Sequence, residues 1–293
     1  MSAGEHLLSP LTIPAPFKGA LMHMIETQDI TFPALGLGTF PMKGEDCQRA
    51  VESALSLGYR HIDTAEMYGN EEDIGAALAA AGVKRDEIHV TTKVWHDHLT
   101  RDGIRRAFDA SLEKLRLDHI DLYLVHWPSP SMNLAEIFET LMRLKADGRT
   151  RAIGVANFTV PLLRQVVEEI RAPIACNQIE YHALLDQTAV LGYLRAKSIP
   201  LVAYCPLAKG RLAEQPEATA IARKHNATPA QVALKWLLDQ PGVAAIPKAQ
   251  HRDRQAENLA ALRITLDDDD RRALAALPKN VRCVNPAFAP AWD

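Results

Sequence analysis

Asp63 and Tyr68 in RHIDTAEMYGNE, Lys93 in VTTKVW and His126 in LYLVHWP place a carboxylate, a phenol, an ammonium and an imidazole at the ends of short apolar runs. Asp63, Lys93 and His126 lie about thirty residues apart, the length of one strand-helix unit, so a parallel barrel would collect them on one rim. Together they can deliver a proton to a carbonyl oxygen. A free tyrosine, which ionises near pH 10, is a reluctant acid. A neighbouring Lys93 ammonium is expected to favour the phenolate and lower that value. Asp63 is expected to hold Lys93 charged, since a buried ammonium without a partner sheds its proton. A neutral His126 can bind and polarise the same oxygen. Singly, each residue has an ordinary reading: buried Asp–Lys pairs are often structural, and a strand-end histidine is often a satisfied core group. Their joint placement on one rim favours catalysis.

Eight apolar runs are the candidate strands: 34–40, 61–65, 88–94, 120–127, 150–157, 175–181, 200–206 and 243–248. Most are apolar on both faces, as parallel strands covered by helices must be. Helical periodicity fills the gaps. Ile104, Phe108, Leu112 and Leu115 recur on one helical face, and Thr228-Pro229 reads as an N-cap followed by proline at N1. Eight alternating units without a linker predict a single (β/α)8 barrel over residues 25–293. MIETQDITFPALGL predicts a hairpin on the barrel floor, and the proline-rich tail carrying Phe288 and Trp292 is expected to fold back over the barrel. Residues 1–24 read as a non-catalytic extension, with Met22 or Met24 as a candidate start.

The chain has 293 residues, 47% hydrophobic and 24% charged, with a formal charge of −3. That balance suits a globular domain and offers no basic field for nucleic acid or membrane. No apolar stretch reaches the roughly 20 residues of a spanning helix, and the N-terminus lacks a signal-peptide pattern. Cys47, Cys176, Cys205 and Cys283 are scattered without a CxxC, so four reduced thiols in a cytoplasmic protein are expected.

GLGTF, GYRHIDTAEMYGNE, TTKVW, DLYLVHWPSP, IGVANFT, CNQIEYH, AYCPLAKG and IPKAQHRDRQAENL resemble the ordered motifs of the aldo-keto reductase superfamily, from about residue 25 to the end. RCVNPAFAPAWD and the short loop after AYCPLAKG are similar to the branch holding bacterial 2,5-diketo-D-gluconate and methylglyoxal reductases. The resemblance implies a catalytic tetrad of Asp63, Tyr68, Lys93 and His126, hydride from NAD(P)H, and no metal. It implies that Asn157 and Gln178 bind the carboxamide and that Tyr204 stacks on the nicotinamide, with Leu207 beside it. Lys248 and Arg254 match the clamp on the 2′-phosphate, which favours NADPH over NADH. Glu257 and Asn258 match the adenine contacts. Ala249 and Cys205 stand where serines are usual, and Arg252 either compensates or points to solvent. Phe40, Trp95, Trp127 and Trp292 are the expected substrate-pocket residues.

The implied activity is NADPH-dependent reduction of small aldehydes, α-dicarbonyls such as methylglyoxal, or keto-sugars such as 2,5-diketo-D-gluconate, by a monomer. The alternatives are a nucleotide-sensing binding protein on the same fold, or a dehydrogenase working in the oxidative direction. Other signals are weaker. Gly36-Leu37-Gly38 lacks the third glycine and acidic partner of a Rossmann fingerprint. His96-Asp97-His98 reads as a rim loop rather than a metal site, and Asp267–Asp270 as a helix cap.

Overall fold

The computed structural model describes residues 23–28 and 30–293. Strands β1 (Met24–Thr27) and β2 (Ile30–Pro33) pair antiparallel. The others are β3 (Leu37–Gly38), β4 (His61–Asp63), β5 (His89–Val94), β6 (Ile120–Val125), β7 (Thr150–Ala156), β8 (Ile174–Glu180), β9 (Leu201–Tyr204) and β10 (Val243–Ala245). They form one eight-stranded parallel sheet in sequential order from β3 to β10. Parallel bridges Leu35–Ala245 and Gly38–Lys248 join its two ends and close the barrel. The seam is tight at Gly38, where a Cβ would lie 2.6 Å from the Ile246 carbonyl oxygen. Only glycine permits that approach.

Each expected strand is present, and most stop one to three residues earlier than the apolar runs suggest. The residues left over are the ones with chemistry, because they sit where the chain leaves the ladder: Tyr68, His126 and Asn157 all follow strand ends. β5 and β6 are buried along their whole length, which explains their two-sided apolar character.

The helix over 104–115 runs Arg101–Leu115, with Thr100 accepting from the Gly103 N–H as N-cap. Ile104, Phe108 and Leu115 are buried. Thr228 forms a capping box with Gln231 ahead of helix Pro229–Leu238. Asp267 forms another with Asp270 ahead of Asp268–Ala275, as expected of that acidic run.

The hairpin covers the floor. Phe32, fully buried, stacks on His89 at 5.0 Å and meets His61 edge-on at 5.4 Å. Burying such a ring stabilises the fold by about 1.5–3 kcal/mol. Thr27 Oγ1 donates to the Ala175 carbonyl at 2.9 Å, tying the hairpin to the start of β8. The extension expected over residues 1–24 lies outside the described residues except for His23 and Met24, and Met24 already belongs to the hairpin.

The tail folds back as expected. A bridge joins Asn280 to Leu185, and the Glu180 carboxylate accepts from the Cys283 and Val284 N–H groups at 2.5 and 2.8 Å. The Val160 N–H donates to Asp293 at 2.8 Å.

Candidate active site

At the C-terminal ends of the strands lies a cleft of about 550 Å³. Asp63 ends β4 and Lys93 lies near the end of β5, so neighbouring parallel strands deliver them side by side. Lys93 is wholly buried. Its Nζ donates to Asp63 Oδ1 at 2.5 Å and to the Thr64 carbonyl at 2.7 Å. The other carboxylate oxygen of Asp63 accepts from Gln178 Nε2 at 2.7 Å. Burial pulls the lysine below its usual range, and Asp63 opposes that pull. The expected holding role of Asp63 therefore has its geometry.

Tyr68 ends a one-turn helix, Glu66–Tyr68, and lines the cleft. Lys93 Nζ lies 5.2 Å from its ring centre. The expected lowering of the phenol is not found. Burial, with the Asp63 charge adding to it, pushes Tyr68 well above its usual value near 10. The reason is geometric: the ammonium is directed at Asp63 and the Thr64 carbonyl.

His126 follows β6, its N–H bound to the Val94 carbonyl at 3.0 Å. Its ring meets Tyr68 edge-on at 5.5 Å and Trp95 at 5.1 Å. Burial and the charge of Lys93 hold it neutral, as expected. Nδ1 is buried without a partner. Under-satisfied acceptors are tolerated better than orphaned donors, so Nε2 carries the hydrogen.

Asn157 directly follows β7 and Gln178 lies near the end of the neighbouring β8. Asn157 has the left-handed φ of 63° that asparagine tolerates. Its Nδ2 donates to the His126 carbonyl at 2.9 Å and its Oδ1 accepts from the Tyr204 hydroxyl at 2.8 Å. One chain of bonds thus links the histidine backbone, an amide and an aromatic ring. Tyr204, Leu207 and Lys248 line the cleft with them.

Arg254, Glu257 and Asn258 are not among the cleft residues. Arg254 pairs with Glu257 at 2.6 Å, with its side chain 71% exposed, while Asn258 is buried. Glu257 also accepts from Thr228 Oγ1 at 2.6 Å. Arg252 neither joins Lys248 nor stands free: it donates to Ser56 at 2.7 Å.

Phe40, 52% exposed, and Trp127 line the cleft. Trp95 and Trp292 are not in the lining, and Trp95 reaches the Trp127 wall through a residue the sequence did not single out for this role. Phe288 meets Trp95 at 5.6 Å, His96 at 4.4 Å and Trp127 at 5.5 Å. Trp292 packs on Trp127 at 6.0 Å and lies under the Arg282 guanidinium. Met67 and Val284, also in the lining, carry no sequence signal beyond adjacency to Tyr68 and Cys283. His96 pairs with Asp97 and His98 with Glu66, on a one-turn helix at the rim.

The model of the aldo/keto reductase family matches residues 34–279. The chain belongs to the aldo/keto reductase family. It is 42% identical over 268 residues to methylglyoxal reductase DkgB of Salmonella typhimurium, covering 90% of this chain and all of that protein. It is 38% identical over 254 residues to a glyoxal reductase of Bacillus subtilis, covering 86% and 91%. A crystal structure provisionally described as a 2,5-diketo-D-gluconic acid reductase B aligns with a TM-score of 0.91 at 40% identity, covering 94% of this chain and 98% of that one.

As an aldo/keto reductase the chain is an oxidoreductase that uses a nicotinamide cofactor, NADH or NADPH. The cleft fits that group. Gln178 and Asn157 offer side-chain amides beside it, Tyr204 presents an aromatic ring, and Lys248 is an exposed cation at the edge.

Proposed function

We propose that this aldo/keto reductase uses NADPH to reduce small aldehydes, α-dicarbonyls of the methylglyoxal type or keto-sugars such as 2,5-diketo-D-gluconate, with Tyr68 as general acid. The supporting observation is the convergence of Tyr68, Asp63 and a neutral His126 on one cleft. A proton donor must carry its proton at rest, and Tyr68 does. His126 Nε2 orients and polarises the carbonyl oxygen, which helps most in a site that excludes water. Lys93, held by Asp63 and the Thr64 carbonyl with its Nζ 5.2 Å from the Tyr68 ring centre, would be the cation beside the phenolate that forms. Asp63 and Gln178 fix that ammonium in place. The bound cofactor would supply the hydride, held by Asn157, Gln178 and Tyr204 at the reacting end and by Leu207 alongside.

Lys248 would meet the 2′-phosphate, with Arg254 released from Glu257 to join it; Glu257 and Asn258 would then face the adenine. Phe40 and Trp127 would contact substrate directly, and Trp95 and Trp292 would shape that wall through Phe288. The relatives named methylglyoxal reductase and glyoxal reductase agree with a small polar substrate. The physiological direction is proposed as reduction, by a cytoplasmic monomer.

The test is oxidation of NADPH and of NADH with methylglyoxal, 2,5-diketo-D-gluconate, aromatic aldehydes and simple sugars. We expect kcat/KM to favour NADPH by about tenfold or more, the worth of one charge-assisted contact. Equal efficiency with both cofactors would overturn the NADPH assignment. Tight NADPH binding without turnover on any substrate would make the chain a nucleotide-binding protein instead.

A further inference from the structure

Tyr68 is carried by the one-turn helix Glu66–Tyr68, in the loop after β4. Two backbone bonds close that turn, from the Tyr68 N–H to the Ala65 carbonyl and from the Gly69 N–H to the Glu66 carbonyl. So short a helix has little stability of its own, and outside contacts must place it. The barrel holds its flanks. The Thr64 N–H donates to the Thr91 carbonyl at 2.9 Å, and Thr64 Oγ1 donates to Asn70 Oδ1 at 2.8 Å. Asn70 Nδ2 in turn donates to the Met42 carbonyl at 2.9 Å. Between these ties Met67 is 40% exposed and Tyr68 lines the cleft. Of the three helical residues, only Glu66 reaches back to the barrel with a hydrogen-bonding side chain.

Glu66 Oε1 accepts from the Trp95 N–H, and also from His98 Nδ1 at 3.1 Å. Trp95 is the first residue beyond β5, where its N–H has left the strand ladder. Its ring stands edge-on to His126 at 5.1 Å, and Lys93 lies two residues before it. One carboxylate thus joins the turn bearing Tyr68 to the strand end bearing Lys93 and to a ring packed on His126. The bond to Trp95 is the stronger tie, because the Glu66 side chain is 13% exposed there, whereas His98 is 54% exposed and such ion pairs are weak. Burial and Asp63 set the ionisation of Tyr68. The part left to Glu66 is placement, which an uncharged oxygen can also perform.

We propose that Glu66 is a positioning residue of the active site: by accepting from the Trp95 N–H it fixes the turn bearing Tyr68 relative to Lys93 and His126. The inference rests on Tyr68 acting as the general acid, as proposed above. A displacement of about 1 Å at a reacting group can cost roughly a hundredfold in rate. Loss of the tether is therefore felt in kcat. Cofactor binding, assigned to residues on and beyond β7, β8 and β9, is left as it was.

The test compares Glu66→Gln, Glu66→Met and Glu66→Ala in the full chain. It reads kcat and KM for the best of the carbonyl substrates named above, the Kd for NADPH and thermal unfolding, with Tyr68→Phe as the reference. Met fills the space of Glu66 without an acceptor, so it decides the matter even where Ala fails to fold. We expect Glu66→Met to lower kcat by about tenfold with the Kd for NADPH unchanged, and Glu66→Gln to recover most of that loss. Combined with Tyr68→Phe, Glu66→Met should be far from additive, since a ring without its hydroxyl no longer depends on exact placement. The proposal is overturned if Glu66→Met changes only thermal unfolding, if Gln is as damaging as Met, or if the two substitutions add in full. Normal turnover in Glu66→Met beside a crippled Tyr68→Phe overturns the tether alone. Near-normal turnover in Tyr68→Phe overturns the general-acid reading and the tether with it.

Discussion

The two ends of the barrel are built from the same residue types and behave differently. At the floor, Asp121 is buried and its carboxylate accepts from Arg85 at 2.7 Å and from the Val90 N–H at 2.9 Å, with Arg151 at 3.3 Å. His61 Nδ1 donates to the Pro33 carbonyl at 3.0 Å, and His89 Nε2 lies 3.2 Å from Thr91 Oγ1. At the rim, Asp63 holds Lys93 much as Asp121 holds Arg85. There, however, His126 Nδ1 has no partner and Tyr68 and Lys248 face open space. The two depressions are nearly equal, about 490 Å³ at the floor and 550 Å³ at the rim. Volume does not distinguish them. What does is the groups each end leaves open: the floor leaves Arg85 Nε and His119 Nε2 buried without partners among the described residues, and the rim gathers Tyr68, His126 and Lys248 around one cleft.

The sharpest way to break this contrast is Tyr68→Phe. We expect kcat to fall by about 10²–10⁴-fold with NADPH binding and thermal stability unchanged. Near-normal turnover would remove Tyr68 from the chemistry.

The mirror experiment at the floor is Asp121→Ala. It should cost about 2–3 kcal/mol of stability in urea unfolding, because it orphans the Val90 N–H and two guanidinium groups that retain some water. The kcat of the folded fraction should not change. A large loss of turnover would mean that the floor and the rim are coupled.

Lys248→Ala probes the unpaired cation of the rim. The Kd for NADPH should rise by about tenfold or more while that for NADH stays put. An equal rise for both would make Lys248 a general wall residue.

The last effect is on pH dependence. Burial pushes His61, His89 and His126 below their usual value. The unfolded chain binds these protons as pH falls through about 6.5, and the folded chain resists. Their contribution is full above that pH and is lost below it, at up to about 1.4 kcal/mol per pH unit for each. Glu71, whose carboxyl is pushed up by burial, has the opposite sign and offsets part of this. Replacing both floor histidines by glutamine should flatten the stability profile from pH 6.5 to 5 more than His126→Gln does. Equal slopes in the two variants would show that the floor histidines do not titrate on unfolding.

The contrast also explains what could be read from the chain. Strand order, the hairpin and the caps at Thr228 and Asp267 rest on local patterns, and the structure shows each of them. The tetrad was legible because strand ends recur at a fixed spacing. The ionisation of Tyr68 was not, since it depends on how deeply the ring is buried and on where the lysine of the next strand directs its charge. The place of Phe288 was equally hidden: it pairs a tail without periodicity with distant rim aromatics. Arg254 matches a motif by type, yet its present partner Glu257 follows only from the helix geometry of an i,i+3 pair.

The bridge between Gly38 and Lys248 has a consequence for how the molecule is made. Lys248 lies on the seam, beside the last strand to be synthesised, and its partner belongs to the first strand of the barrel. A chain growing from its N-terminus cannot close the sheet until that segment has emerged, and closure then spans nearly the whole described sequence. The proposed phosphate clamp is assembled in the same event. A nascent chain would therefore have neither a finished barrel nor a grip on NADPH, and abundant cofactor would favour the closed form as soon as it exists.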